Sequence, residues 1–200
     1  MNTAHTPLRR PQRLPGQRPF QLHASGFTLL ELLVAVTASL VLLLVAAPSM
    51  SAAINSMKLT SASNDLVSHM YLARSEAIKR NGRVVLCKSS NGSTCASSGG
   101  WEQGWIVFHD TNNNGIIDGG ELVIARRQAL PAALRLTGNQ NVAKYVSFEP
   151  TGSTKLVGGG FQAGTLTLCR QSAASNEARQ IILNAVGRPR VQKLQIASCA

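Results

Sequence analysis

The stretch GFTLLELLVAVTASLVLLLVAAP, from Gly26 to Pro48, decides how the rest of the chain is read. From Phe27 to Ala47 there are 21 residues with one ionisable side chain, Glu31, enough for a helix to cross a hydrocarbon core ~30 Å thick. This segment is expected to lie in a membrane. A secretory signal would end its apolar run on a small-residue cleavage site, but here the small residue, Gly26, stands before the run and directly after a basic leader. A cut after Gly26 leaves the helix on the mature chain and makes Glu31 its fifth residue. A carboxylate at mid-membrane costs roughly 2.5–3.5 kcal/mol on insertion scales, so an isolated one calls for a partner. The new α-amino group of Phe27 on a neighbouring subunit would serve.

These residues resemble the type IV prepilin signature: Gly26 before the cut, Phe27 as the methylated N-terminus, Glu31 at the fifth mature position, then a long apolar run with Pro48 at its end. The resemblance implies a prepilin peptidase and methyltransferase as processing partner. It also implies a filament of pilin or pseudopilin subunits whose helices pack as a central bundle.

The chain has 200 residues and a formal charge of +11. Four of its twenty basic residues, Arg9, Arg10, Arg13 and Arg18, lie in the leader, which has no acid, so sixteen basic and nine acidic side chains remain after the cut, a charge of +7. That balance favours an anionic partner such as nucleic acid, lipid head groups or an acidic protein. The arginine-rich leader is expected to stay in the cytoplasm by the positive-inside rule, placing the domain in the periplasm on a single-pass anchor in a bacterial inner membrane. Cys87, Cys95, Cys169 and Cys199 then face an oxidising compartment, where disulfides are the default. Four cysteines allow three pairings. Cys87 with Cys95 and Cys169 with Cys199 is favoured because each pair staples a local loop or hairpin region.

The expected order is a cleaved leader (1–26), a membrane or filament-core helix (27–47), its amphipathic continuation (48–81) and a β-rich domain (82–200). Pro48 is expected to kink the helix or loosen one turn. Beyond it, Leu59, Ala62, Leu66, Met70, Ala73 and Ala77 recur at helical spacing and give a core-facing stripe, which Asn81-Gly82 ends. Short runs rich in Val, Ile, Leu and Phe then read as strands: 83–87, 105–109, 121–125, 133–137, 144–148, 165–170, 179–184 and 190–196. The fold class is α+β, a long N-terminal helix packed on antiparallel β-sheet.

Leu-Ala-Arg-Ser-Glu-Ala-Ile-Lys-Arg-Asn at 72–81, Gly-Trp-Ile-Val-Phe at 104–108 and the Asp/Asn-rich turn that follows resemble the FimT/GspH group of minor type IV pilins and type II secretion pseudopilins. Near the C-terminus stands Gly187-Arg188-Pro189-Arg190. Gly187 suits a tight hairpin, and Arg188 and Arg190, two apart in extended chain, project to one side, where two guanidinium forks fit phosphate oxygens. Lys193 or Arg179 would extend the patch. A Gly-Arg-x-Arg tip resembles the DNA-binding motif of the FimT branch, which implies Gly187, Arg188 and Arg190 as residues contacting the DNA backbone during uptake in natural transformation. The competing reading is a solvated basic hairpin that protects an edge strand. In functional terms that alternative is a structural, H-type pseudopilin of type II secretion that binds no DNA.

A second candidate runs from Asp110 to Glu121. Asp110, Asn112, Asn114, Asp118 and Glu121, with Gly115 at the sixth position and Ile116 offering a carbonyl, match the spacing of a calcium-binding loop. Strands rather than helices flank it, which favours a long hairpin turn built on Asn and Gly. No nucleophile elbow, phosphate loop or HExxH is present, and no catalytic activity or cofactor other than calcium is expected.

Overall fold

A computed structural model describes residues 26–171 and 177–199. Of the expected leader only Gly26 falls among them. Helix α1 spans Leu29–Arg80, 52 residues. Its start is capped by Thr28, whose hydroxyl accepts the N–H of Glu31 at 3.2 Å, and Glu31 lies in the first turn, where the helix dipole favours negative charge. Gly26, Phe27 and Glu31 are all exposed. The helix passes through Pro48 without a break, so the proline does not loosen a turn enough to end it. It closes where Asn81 turns left-handed (φ +49°), with the N–H of Asn81 bonded to Ile78 O and that of Gly82 to Ala77 O.

The chain divides into two compact units at Ala46 and Ala47. In the first, the apolar side chains of α1 are exposed, Leu30 and Leu42 at 72% and 70%. Among the described residues, α1 is the one helix long and apolar enough to cross a membrane.

In the second unit the expected stripe, Leu59, Ala62, Leu66, Met70, Ala73 and Ala77, is buried throughout. It packs on two antiparallel sheets rather than one. The first holds β1 (Arg83–Lys88), β2 (Trp105–Asp110), β3 (Val123–Arg127) and β5 (Tyr145–Phe148), in the order β3-β2-β1-β5. The second holds β4 (Leu134–Gly138), β6 (Gly164–Arg170), β7 (Glu177–Leu183) and β8 (Pro189–Gln195), in the order β4-β6-β7-β8. Val84 and Leu86 of β1 face the helix with Leu136, Leu168, Ile181 and Leu183 of the second sheet. The alternate residues Val85 and Cys87 turn outward to a smaller cluster with Ile106 and Phe108, the period-two consequence of the pleat. Cys95 and Ile117 pack on that outer cluster, so β1 is buried on both faces. Disulfides join Cys87 to Cys95 and Cys169 to Cys199. The second bridge carries the tail beyond the edge strand β8 back to β6.

Candidate nucleic-acid interface

Strands β7 and β8 form an antiparallel hairpin in which Leu183 faces Pro189, Ile182 faces Arg190 and Arg179 faces Lys193. Its tip is built from backbone and amide hydrogen bonds. Asn184 O accepts the N–H of Gly187 at 2.9 Å, and its side-chain Oδ1 accepts the N–H of Arg188 at 2.9 Å. Gly187 has φ +77°, and a Cβ there would stand 2.3 Å from Gly152 O, so both conformation and space require glycine.

The tip is also tied down from two sides. Thr154 donates its N–H to Ala185 O at 3.1 Å and its hydroxyl to Asn184 O at 3.1 Å. From α1, Arg74 Nη1 donates to Gly187 O at 3.1 Å and the Tyr71 hydroxyl to Pro189 O at 3.4 Å. Gly187 and Pro189 are buried, while Arg188 and Arg190 are exposed. Among the described residues neither arginine pairs with a carboxylate. The result is a fixed backbone carrying two guanidinium groups open to solvent at the edge of a sheet.

Arg179 does not belong to this patch. It is 1% exposed, with Nη1 on Glu177 Oε1 at 2.7 Å and Nη2 on Ser56 Oγ at 3.0 Å and Thr60 Oγ1 at 3.3 Å. It lies with the buried Ile181 and Leu183 on the face turned to α1, where helix hydroxyls and a carboxylate satisfy it. Lys193 is exposed, but its pairing with Arg179 puts it on that same face, opposite Arg190 by strand alternation. The patch therefore narrows to Arg188 and Arg190. The alternation of Arg179, Ile181 and Leu183 was the available signal. Arg74 carried no such mark; in sequence it is one polar position beside the stripe.

The Asp110–Glu121 loop connects β2 to β3, and its acids are turned to donors of the loop itself. Asp110, 1% exposed, accepts the N–H groups of Asn114 at 3.1 Å and Gly115 at 2.8 Å. Burial pushes its carboxyl up, and those two N–H groups oppose the shift. The Asp118 carboxylate takes the side-chain amides of Asn112 and Asn114, both at 2.7 Å, which hold it below the usual range. Glu121 Oε1 accepts from the N–H and hydroxyl of Thr111, and Oε2 from the N–H of Asp118. Ile116 is exposed and donates its N–H to Asn114 Oδ1. Among the described residues no group of three or more His, Cys, Asp or Glu side chains is placed to hold a metal ion.

A family model described as type II transport protein GspH matches residues 62–187. The chain belongs to the GspH family. Among solved structures this GspH-family chain is similar to the type IV minor pilin FimU of Pseudomonas aeruginosa. Two crystal forms give 17% and 18% identity, TM-scores of 0.52, and coverage of 71% of this chain and 100% and 95% of that one. It is also similar to the minor pseudopilin EpsH of the type 2 secretion system of Vibrio cholerae, at 10% identity, a TM-score of 0.45 and coverage of 69% and 97%. No curated protein matches. The FimU likeness is one of fold, an α+β pilin architecture. The GspH match stops at Gly187, so Arg188 and Arg190 lie just past it and are judged on their geometry.

Proposed function

We propose that the chain is a minor type IV pilin of the FimT kind that holds DNA non-specifically through Arg188 and Arg190 for uptake in natural transformation. The observation that carries this reading is a tip whose backbone is tied to α1 and to the 149–154 loop while both arginines stay exposed and free of carboxylates among the described residues. Such side chains reach phosphate oxygens at little ordering cost and position a DNA backbone without reading its sequence. In this reading Phe27–Ala47 anchors the subunit in the inner membrane with its domain in the periplasm. The peptidase cuts after Gly26 and methylates Phe27, and Glu31 meets the N-terminus of a neighbouring subunit in the filament. Two arginines give weak binding, so retention comes from many subunits along one filament.

The test is a DNA mobility shift with the full chain in detergent, beside Arg188→Ala/Arg190→Ala, at two salt concentrations. Salt-sensitive binding that the double substitution removes is the expected result. The description of the matching family favours a second reading, a structural pseudopilin of type II secretion. For that protein no shift occurs at low salt, and the DNA reading falls.

A further inference from the structure

We infer that Arg74 is a third phosphate-contacting residue of this interface, an inference that rests on the DNA reading above. Arg74 stands on α1 one turn after Tyr71 and reaches the hairpin from the helix, with Nη1 3.1 Å from Gly187 O. The Gly187 carbonyl and the Arg188 N–H belong to one peptide unit, so the Arg74 guanidinium is one hydrogen bond from the point where the Arg188 side chain departs. The approach is possible because position 152 has no side chain. A Cβ on Gly152 would stand 2.9 Å from Arg74 Nε and 3.0 Å from Ile78 Cδ1.

The charge around this contact is one-sided. Arg74 is partly exposed, and of the five N–H donors of a guanidinium the contact to Gly187 engages one. The nearest acids along the chain are engaged elsewhere: Glu76 holds Lys79 and Arg80, and Glu149, at the foot of the 149–154 loop, holds Arg83 and Lys155. Arg74 from the α1 side and Arg188 at the turn thus flank the Gly187 peptide, with Arg190 on the other face of β8, and among the described residues none of the three pairs with a carboxylate. Bracing a carbonyl needs one neutral donor. A fork with its remaining donors open one peptide from Arg188 fits the paired oxygens of a phosphodiester. DNA held at the tip then bridges the helix and the hairpin, instead of resting on the hairpin alone.

The experiment measures the slope of log affinity against log salt for the full chain in detergent on duplex DNA, with Arg74→Gln, Arg74→Lys and Arg188→Ala/Arg190→Ala. Each phosphate contact contributes roughly 0.9 to that slope on duplex DNA. The glutamine stays polar but is shorter and removes the charge, so its slope is expected to fall by about one unit with the fluorescence of the buried Trp101 and Trp105 unchanged. The lysine keeps the charge and is expected to keep the wild-type slope. A wild-type slope in Arg74→Gln overturns the assignment, as does a lost unit in a folded Arg74→Lys, even where the glutamine variant does not fold. If wild-type protein does not bind at low salt, the DNA reading itself falls, an outcome distinct from binding with an unaltered slope.

Discussion

Arg179 and Arg188 stand on the same hairpin, and the two ends of that hairpin treat an arginine in opposite ways. At the root, Arg179 points toward α1 and is enclosed by Glu177, Ser56 and Thr60. At the tip, the backbone takes the hydrogen bonds and the side chains of Arg188 and Arg190 are left to solvent. The same residue type is a structural pin in one place and a solvent-exposed cation in the other. At the root α1 offers the hydroxyls of Ser56 and Thr60 to Arg179, whereas at the tip Tyr71 and Arg74 of α1 bond the hairpin backbone. The Asp110–Glu121 loop behaves like the root, with its carboxylates folded back on its own N–H groups.

The largest effect is expected at the tip backbone. Gly187→Ala places a methyl 2.3 Å from Gly152 O at φ +77°, so steric conflict adds to left-handed strain and the domain should lose about 4 kcal/mol. Chemical unfolding followed by the fluorescence of the buried Trp101 and Trp105 measures it. A loss below about 1 kcal/mol would show that the tip can move away from the 149–154 loop, and the contrast between a fixed tip and a packed root would break.

At the root, Arg179→Met should cost about 3 kcal/mol, because it leaves Glu177, Ser56 and Thr60 without their shared donor while filling most of the volume. Where the variant remains folded, its DNA shift should equal that of the wild type. A folded Arg179→Met that no longer shifts DNA would put the root back into the binding surface.

Much of the fold was legible in the sequence because local signals agreed. All six residues of the apolar stripe on α1 are buried, and each of the eight expected runs became a strand within two residues of its assigned ends. Gly, Asn and Ser separate those runs clearly, and each run carries its own pattern. The division into two sheets was not legible, since the pairings of β1 with β5 and of β4 with β6 join segments far apart in sequence. The site shows the same limit. Gly187, Arg188 and Arg190 form a local motif, and its glycine turn and solvent-facing arginines could be read from the sequence. The burial of Arg179 depends on Ser56 and Thr60, more than a hundred positions earlier, and the place of Arg74 depends on Gly152 and Gly187. In the Asp110–Glu121 loop the spacing of oxygen groups could be read, but the direction in which each carboxylate turns could not.

The smallest effect sharpens the root by its pH dependence. The hydrogen bond from Arg179 holds the Glu177 carboxyl below the usual glutamate range; burial opposes this, while the charge of Arg179, the Ser56 hydroxyl and the charge of Lys193 add to it. A folded-state pKa below the unfolded value means that the contribution is fully present above the unfolded pKa and is lost as pH falls through the folded one. Glu76 and Asp118 are lowered too, and Asp110 is raised, so acid unfolding of the wild type sums several groups. The difference between wild type and Glu177→Gln isolates one of them. It should be greatest near neutrality and shrink as pH falls below about 5, while the salt slope of DNA binding stays unchanged because the tip is untouched. A difference that does not vary with pH would mean that the carboxylate's charge contributes nothing at the root. Arg179 would then be held by the hydroxyls of Ser56 and Thr60 and the carbonyl of Ala178.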